Sequence, residues 1–175
     1  MNSRTETTSQ LVSEETKDIF QRYSHLSTDE KLALLYFIYE DMGDSITPAA
    51  PGAANPQFAP MLLKDFFSLS DEDQLAIMRE IANGEETEYS RAYGALTAND
   101  QLLVWYVWAE GMGDTVVGLP DDYKASADSN DVLARIGDLE FESQISLLRE
   151  IASKMGYSEV EAVPTQAETG KTPSL

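Results

Sequence analysis

The chain has 175 residues, with 12 Lys and Arg against 31 Asp and Glu and a net charge of −19. With no Cys and a single His it can build neither a disulfide framework nor a thiolate or multi-His metal centre. Without clustered Lys and Arg it cannot neutralise a nucleic acid backbone or an anionic membrane surface. Hydrophobic residues make up 42% and charged residues 25%, an ordinary globular balance, so the acidity belongs to the surface of a folded domain.

Residues 1–12 are polar and hold no apolar core of a signal peptide, and they are expected to be disordered. No apolar run in the chain approaches the roughly 18 residues a spanning helix needs, so membrane insertion is not expected and the protein reads as cytoplasmic. The ordered domain is expected over 13–157. Its first helix lies near 14–24. Ser27 with Glu30 forms a capping box before a second helix near 29–42, where Leu32, Leu35, Tyr36, Tyr39 and Met42 follow helical spacing. A connection rich in Pro, Ala and Gly, Pro48 to Pro56, comes next. It is longer and less polar than a solvated linker, and its small side chains allow backbone to approach another group closely.

A third helix is expected near 58–67 and a fourth near 71–82, capped by Ser70, with Leu75, Met78 and Ala82 as its apolar stripe. Helices near 86–94, 98–112, 129–137 and 141–155 complete the set. Thr97 caps the sixth, which carries Leu102, Trp105, Tyr106, Ala109 and Met112, and Ile145, Leu148 and Ala152 mark the eighth. Gly43, Gly84, Gly113 and Gly156 each follow a helical run as stop signals. Residues 158–175, with Pro164, Gly170 and Pro173, read as a disordered tail. No segment alternates with period two, so the fold class is all-α.

An internal repeat runs through this pattern at a constant offset of 70 residues. Leu26 pairs with Leu96, Leu32 with Leu102, Tyr36 with Tyr106 and Glu40 with Glu110. Met42-Gly43-Asp44 returns as Met112-Gly113-Asp114, Gln74 as Gln144, and Arg79-Glu80-Ile81-Ala82 as Arg149-Glu150-Ile151-Ala152. One offset held without a gap across separated segments indicates a duplication into two similar helical halves.

Catalytic readings find no support. His25 sits in a polar connection and is expected on the surface. The carboxylates fall opposite the apolar stripes, where a solvated face accounts for them. No phosphate loop follows a strand and no calcium-loop spacing occurs, so the chain is not read as an enzyme. The aromatics are the odd feature: Tyr36, Phe37, Tyr39, Trp105, Tyr106 and Trp108 crowd the two repeated helices. Core packing is the ordinary account. Yet Trp and Tyr carry polar groups that need partners, and flat rings at one level of a bundle can grip a flat apolar ligand. From the residues alone, a helical protein with an apolar pocket and a protein-binding helical module both stay open.

Several segments resemble the carotenoid-binding N-terminal domain of the orange carotenoid proteins of cyanobacteria. They are Arg22-Tyr23-Ser24-His25-Leu26, Leu32 through Phe37 to Met42-Gly43, and the string Ala49-Ala50-Pro51-Gly52-Ala53-Ala54. Leu96 to Tyr106, Leu119-Pro120 with Tyr123, Gln144-Ile145 to Arg149, and Met155-Gly156 continue it, so that the likeness spans roughly 15–157. The resemblance implies two interleaved four-helix bundles around one non-covalent ketocarotenoid of canthaxanthin or echinenone type. Ring-gripping aromatics would be Tyr36, Tyr39, Trp105 and Tyr106, with Tyr36 standing where the two-domain relatives usually carry Trp. Leu32, Leu35, Met78, Ile81, Leu102, Glu110, Met112, Leu119, Pro120, Tyr123 and Ile145 would line the polyene, and Ala50, Pro51 and Gly52 would approach it. It also implies photoprotection by singlet-oxygen quenching, or docking on the phycobilisome at the thylakoid surface. Asn99 and Arg149 would then be contact residues, and a homologue of the family's C-terminal domain would donate the carotenoid.

Overall fold

The computed structural model describes residues 14–46 and 59–158. Eight α-helices occupy these residues: α1 (14–24), α2 (Thr28–Ile46), α3 (Pro60–Leu63), α4 (Asp71–Ala82), α5 (Glu88–Gly94), α6 (Ala98–Gly111), α7 (Ala127–Gly137) and α8 (Phe141–Ser153). A 3₁₀ turn, Asp65–Ser68, follows α3, so the helix expected near 58–67 is broken into two short pieces. No strand occurs among the described residues. The N-terminal residues 1–12, the tail beyond Ser158 and the Pro48–Pro56 connection lie outside the described residues.

The caps form as the sequence anticipates. Ser27 N–H donates to Glu30 Oε1 at 2.9 Å while Glu30 N–H donates to Ser27 Oγ at 3.2 Å. Ser70 and Thr97 accept the N–H groups of Asp73 and Asp100. Gly84, Gly113 and Gly156 end their runs with φ of 67°, 85° and 80°. Gly43 does not: α2 continues through it to Ile46. A single Gly costs a helix about 1 kcal/mol, too little to end one that no proline interrupts before Pro48.

The duplication is visible in three dimensions. The offset of 70 residues carries α1 to α5, α2 to α6, the α3 region to α7, and α4 to α8. It carries a side-chain hydrogen bond as well: Gln74 Nε2 donates to Phe66 O, buried, and Gln144 Nε2 donates to Ile136 O, partly buried, each at 3.0 Å. The halves exchange elements. From the first half, α2 packs on α7, and α3 packs on α5 and α6; α2 and α6 cross each other at the centre. A continuous core runs through both halves and contains Ile19, Leu34, Ile81, Val104, Ile136, Leu147 and Ile151.

After α8 the chain crosses back over the end of α4 and over α5. Gly156 N–H donates to Ile81 O at 2.7 Å, and Tyr157 N–H to Ser90 O at 3.1 Å. This strap lies so close that a Cβ on Gly94 would sit 2.0 Å from Tyr157 O, and one on Gly156 would sit 2.5 Å from the Tyr93 ring.

Candidate functional site

The aromatics of α2 and α6 divide into two groups. Trp108 is core: it is 1% exposed, stacks on Phe66 at 4.2 Å, and its Nε1–H donates to Leu62 O. Trp105 is buried as well, but its ring sits at the boundary of two gaps in the packing. Tyr36, Phe37, Tyr39 and Tyr106 are only partly buried. Tyr39 and Tyr106 meet edge to face at 5.2 Å. Tyr36 donates to Glu40 Oε2 at 2.9 Å, and this bond to a carboxylate holds its phenol above the ordinary value and protonated.

Three cavities follow one another and share walls. The first, about 320 Å³, is bounded by Leu32, Leu75, Met78, Met112, Val117, Leu119, Pro120 and Tyr123, with the Asp29–Arg79 pair at its edge. It narrows at Leu32, Met78 and Met112 into a gap of about 20 Å³ walled also by Leu35, Tyr36, Trp105, Trp108 and Ala109. Beyond Leu35 and Trp105 a third space, again about 20 Å³, is walled by Ile38, Tyr39, Leu102, Tyr106 and Leu148. Adding or subtracting 70 converts nearly every wall residue of the second space into one of the third: Leu32 to Leu102, Tyr36 to Tyr106, Met78 to Leu148, Trp108 to Ile38, and Ala109 to Tyr39. Leu35 and Trp105 exchange with each other. The two narrow spaces are therefore images under the duplication, and they meet at a waist made of one residue and its own repeat partner.

No charged side chain lines either narrow space, so the walls suit a slender apolar molecule. Met78 and Met112 are adaptable at the constriction. Tyr123 adds a polar touch to the wide end. Its hydroxyl is buried without a hydrogen-bond partner among the described residues, and desolvation, then Glu30 and Asp29, push its phenol upward.

Of the residues singled out in the sequence, the structure gathers Leu32, Leu35, Tyr36, Tyr39, Met78, Leu102, Trp105, Tyr106, Met112, Leu119, Pro120 and Tyr123 around these cavities. It does not place Ile81, Glu110 or Ile145 there: Ile81 is fully buried in the core, Glu110 is exposed and Ile145 is half-buried. Ala50, Pro51 and Gly52 lie outside the described residues. Sequence reasoning put Trp108 in the aromatic cluster without assigning it to the wall, and missed Ala33, Ile38, Leu75, Ala109, Val117, Gly118 and Leu148 as wall residues. The repeat offset was the available signal for Leu148 and Ala109, as partners of Met78 and Tyr39.

The offset also relates the two arginines. Arg79 grips Asp29 with both Nε and a terminal nitrogen, at 2.9 and 3.0 Å. Their repeat partners are Arg149 and Asn99, both exposed. With an amide where the first half has a carboxylate, Arg149 makes no ion pair among the described residues. His25 is exposed, with Nδ1 2.7 Å from Gln21 O, as a surface residue. No group of three His, Asp or Glu side chains that could hold a metal ion occurs among the described residues, and no helix among them is long and apolar enough to cross a membrane.

Comparison with known proteins agrees with this architecture. An orange carotenoid-binding domain-containing protein of Nostoc sp. PCC 7120 is 43% identical over 135 residues, 77% of this chain and 79% of that protein. The orange carotenoid-binding protein of Synechocystis sp. is 38% identical over 138 residues, and the chain spans only 44% of its length. Among solved structures, the red carotenoid protein of Anabaena (Nostoc) sp. PCC 7120 binding canthaxanthin superposes with a TM-score of 0.71 at 35% identity, covering 82% of this chain and 99% of that one. A family model described as the orange carotenoid protein N-terminal domain matches residues 9–158. The chain thus belongs to the family of the orange carotenoid protein N-terminal domain, which is an all-α, carotenoid-binding and non-enzymatic family.

Proposed function

We propose that the chain binds one ketocarotenoid, of the canthaxanthin or echinenone type, along this series of cavities, and that the loaded protein protects against light by quenching singlet oxygen. The observation that carries the reading is the pair of mirrored apolar spaces meeting at Leu35 and Trp105 and continuing into the wide cavity. Such a path suits a long molecule, and its walls include Leu32, Tyr36, Tyr39, Leu102, Trp105 and Tyr106, positions that the family resemblance assigns to the pigment. Burial of apolar groups contributes about 0.8 kcal/mol per CH₂. A few dozen such groups exceed the practical affinity ceiling of about −18 to −21 kcal/mol, so no covalent link is required.

The chain's own part is to bind, orient and shield. Leu32, Leu35, Leu102 and Leu148 exclude water, Met78 and Met112 adapt the constriction, and Trp105, Tyr39 and Tyr106 fix ring planes. A bound conjugated polyene supplies low-lying excited states that take up energy from singlet oxygen and release it as heat. The repeat offset supports a second mouth opposite the wide cavity: it carries Asp29, Leu75 and Arg79 onto Asn99, Ile145 and Arg149. The chain would act in the cytoplasm, loaded by a homologue of the family's C-terminal domain.

Expression in a ketocarotenoid-producing host tests this. An orange or red soluble protein that shortens singlet-oxygen phosphorescence is expected. A colourless protein would return the aromatic cluster to simple core packing, as in a protein-binding helical module. A second reading, docking on the phycobilisome to drain its excitation, is favoured by Arg149, exposed and without an ion pair among the described residues, and opposed by the net charge of −19. Adding loaded protein to purified phycobilisomes separates the two. Loss of antenna fluorescence supports docking, and unchanged fluorescence supports the scavenger alone.

A further inference from the structure

We propose that Tyr93 is a positioning residue for the channel, holding the indole of Trp105 in the plane that walls the waist. The proposal rests on the reading that the channel takes a carotenoid. Trp105 Nε1–H donates to Tyr93 Oη at 2.8 Å, and Tyr93 Oη–H donates to Ala152 O at 2.6 Å. A phenol has one proton to give and lone pairs to accept, so both bonds are made at once and neither has a substitute. Tyr93 is fully buried, and its ring meets Trp105 at 66° and 6.1 Å. Its other side is backed by Gly156 of the C-terminal strap. Trp105 is further bounded by Trp108, edge to face at 5.2 Å. The indole is therefore held through its only polar atom, while Trp105 borders both narrow spaces.

The duplication supplies an internal control. The repeat partner of Tyr93 is Tyr23, equally buried, whose hydroxyl donates to Lys31 O at 3.0 Å. The repeat partner of Trp105 is Leu35, which has no polar group to hold. The same buried phenol thus serves packing in one half and also orients a wall residue in the other. A role confined to packing predicts equal effects of removing either hydroxyl; the positioning role predicts a difference at Trp105 alone.

The experiment compares Tyr93→Phe with Tyr23→Phe in ¹⁵N-labelled protein and in protein loaded with canthaxanthin. The chain has two Trp, hence two indole N–H signals, and Trp105→Phe assigns them. Tyr93→Phe is expected to move the Trp105 indole signal, to speed its hydrogen exchange up to about tenfold, the worth of one hydrogen bond, and to shift the visible absorption band. Tyr23→Phe is expected to leave the indole signals and the band in place. Unchanged Trp105 signals in Tyr93→Phe, or equal shifts of the band from both variants, would overturn the proposal. If Tyr93→Phe does not fold, the wild type still decides: a Trp105 indole N–H exchanging as fast as free indole refutes the bond, and protection like that of Trp108 supports it. A colourless wild type refutes the carotenoid reading alone, because the indole measurements need no pigment.

Discussion

Replacing Gly156 by Ala tests the strap behind Tyr93. Gly156 has φ of 80°, and its Cβ would lie 2.5 Å from Tyr93 Cδ1 and 3.2 Å from both Tyr93 Cε1 and Gly94 N. The ring cannot swing aside, because its hydroxyl is tied to Ala152 O and to Trp105. Gly113 is the matched reference, with φ of 85° and nothing within 4 Å of a Cβ. Gly113→Ala therefore meets only the left-handed backbone penalty, about 1–2 kcal/mol. Gly156→Ala adds overpacking of about 1–3 kcal/mol, for a total of about 2–5 kcal/mol. At roughly 2–4 °C per kcal/mol for a chain of this size, Gly156→Ala should lower Tm by about 10 °C and Gly113→Ala by about half as much. Urea and thermal unfolding followed by circular dichroism measure both. Equal losses from the two variants would refute the tight contact, and with it the account of how Tyr93 is backed.

Other expectations are simpler to state. Trp105→Ala should cost about 3–5 kcal/mol of stability and, with Tyr39→Ala, reduce pigment retention or shift the absorption band; occupancy and spectrum measured on folded protein check this. Hydrogen bonds from Ser126 and from Ser27 hold the Glu30 carboxyl below its ordinary pKa. Its contribution is therefore present above the ordinary carboxylate range and is lost as pH falls through the lowered value, so Glu30→Gln should flatten the acid limb of the stability curve. Burial pushes the Tyr23 and Tyr93 phenols upward. Their stabilisation is complete below the unfolded value of about 10 and is lost above it, so a phenolate absorbance titration should show these two ionising only in a cooperative alkaline unfolding step. Asn99→Asp restores the carboxylate found in the first half, and pairing with Arg149 should weaken phycobilisome or donor binding in a pull-down while changing stability by no more than about 1 kcal/mol.

Helix positions were legible because apolar spacing, Ser and Thr caps and glycine stops agreed locally, and α4, α6 and α8 follow them closely. Gly43 misled because a stop signal has force only when tertiary contacts or a proline reinforce it. The duplication was readable from a constant offset; the interleaving of the halves came only from the family resemblance, since sequence spacing says nothing about which half a face packs against. Trp105 and Trp108 are three residues apart on one helix and looked equivalent. The family resemblance singles out Trp105, and the structure shows the physical difference: Trp108 stacks on Phe66 and borders one narrow space, whereas Trp105 borders both. Tyr93 escaped notice because a single tyrosine in a short helix carries no pattern; its importance comes from two partners, Trp105 and Ala152, distant in sequence.

The waist joins two copies of one design that keep Leu32 with Leu102 and Tyr36 with Tyr106 but differ at Leu35 against Trp105, Ile38 against Trp108, Tyr39 against Ala109 and Met78 against Leu148. A passenger with identical termini would acquire a head and a tail merely by lying there, one terminus toward an arginine locked to its aspartate, the other toward the half in which an asparagine, Asn99, stands in that aspartate's place. Direction of entry and exit, and unequal colour tuning at the two termini, would then be written in the host, through mutations that broke the likeness of its halves.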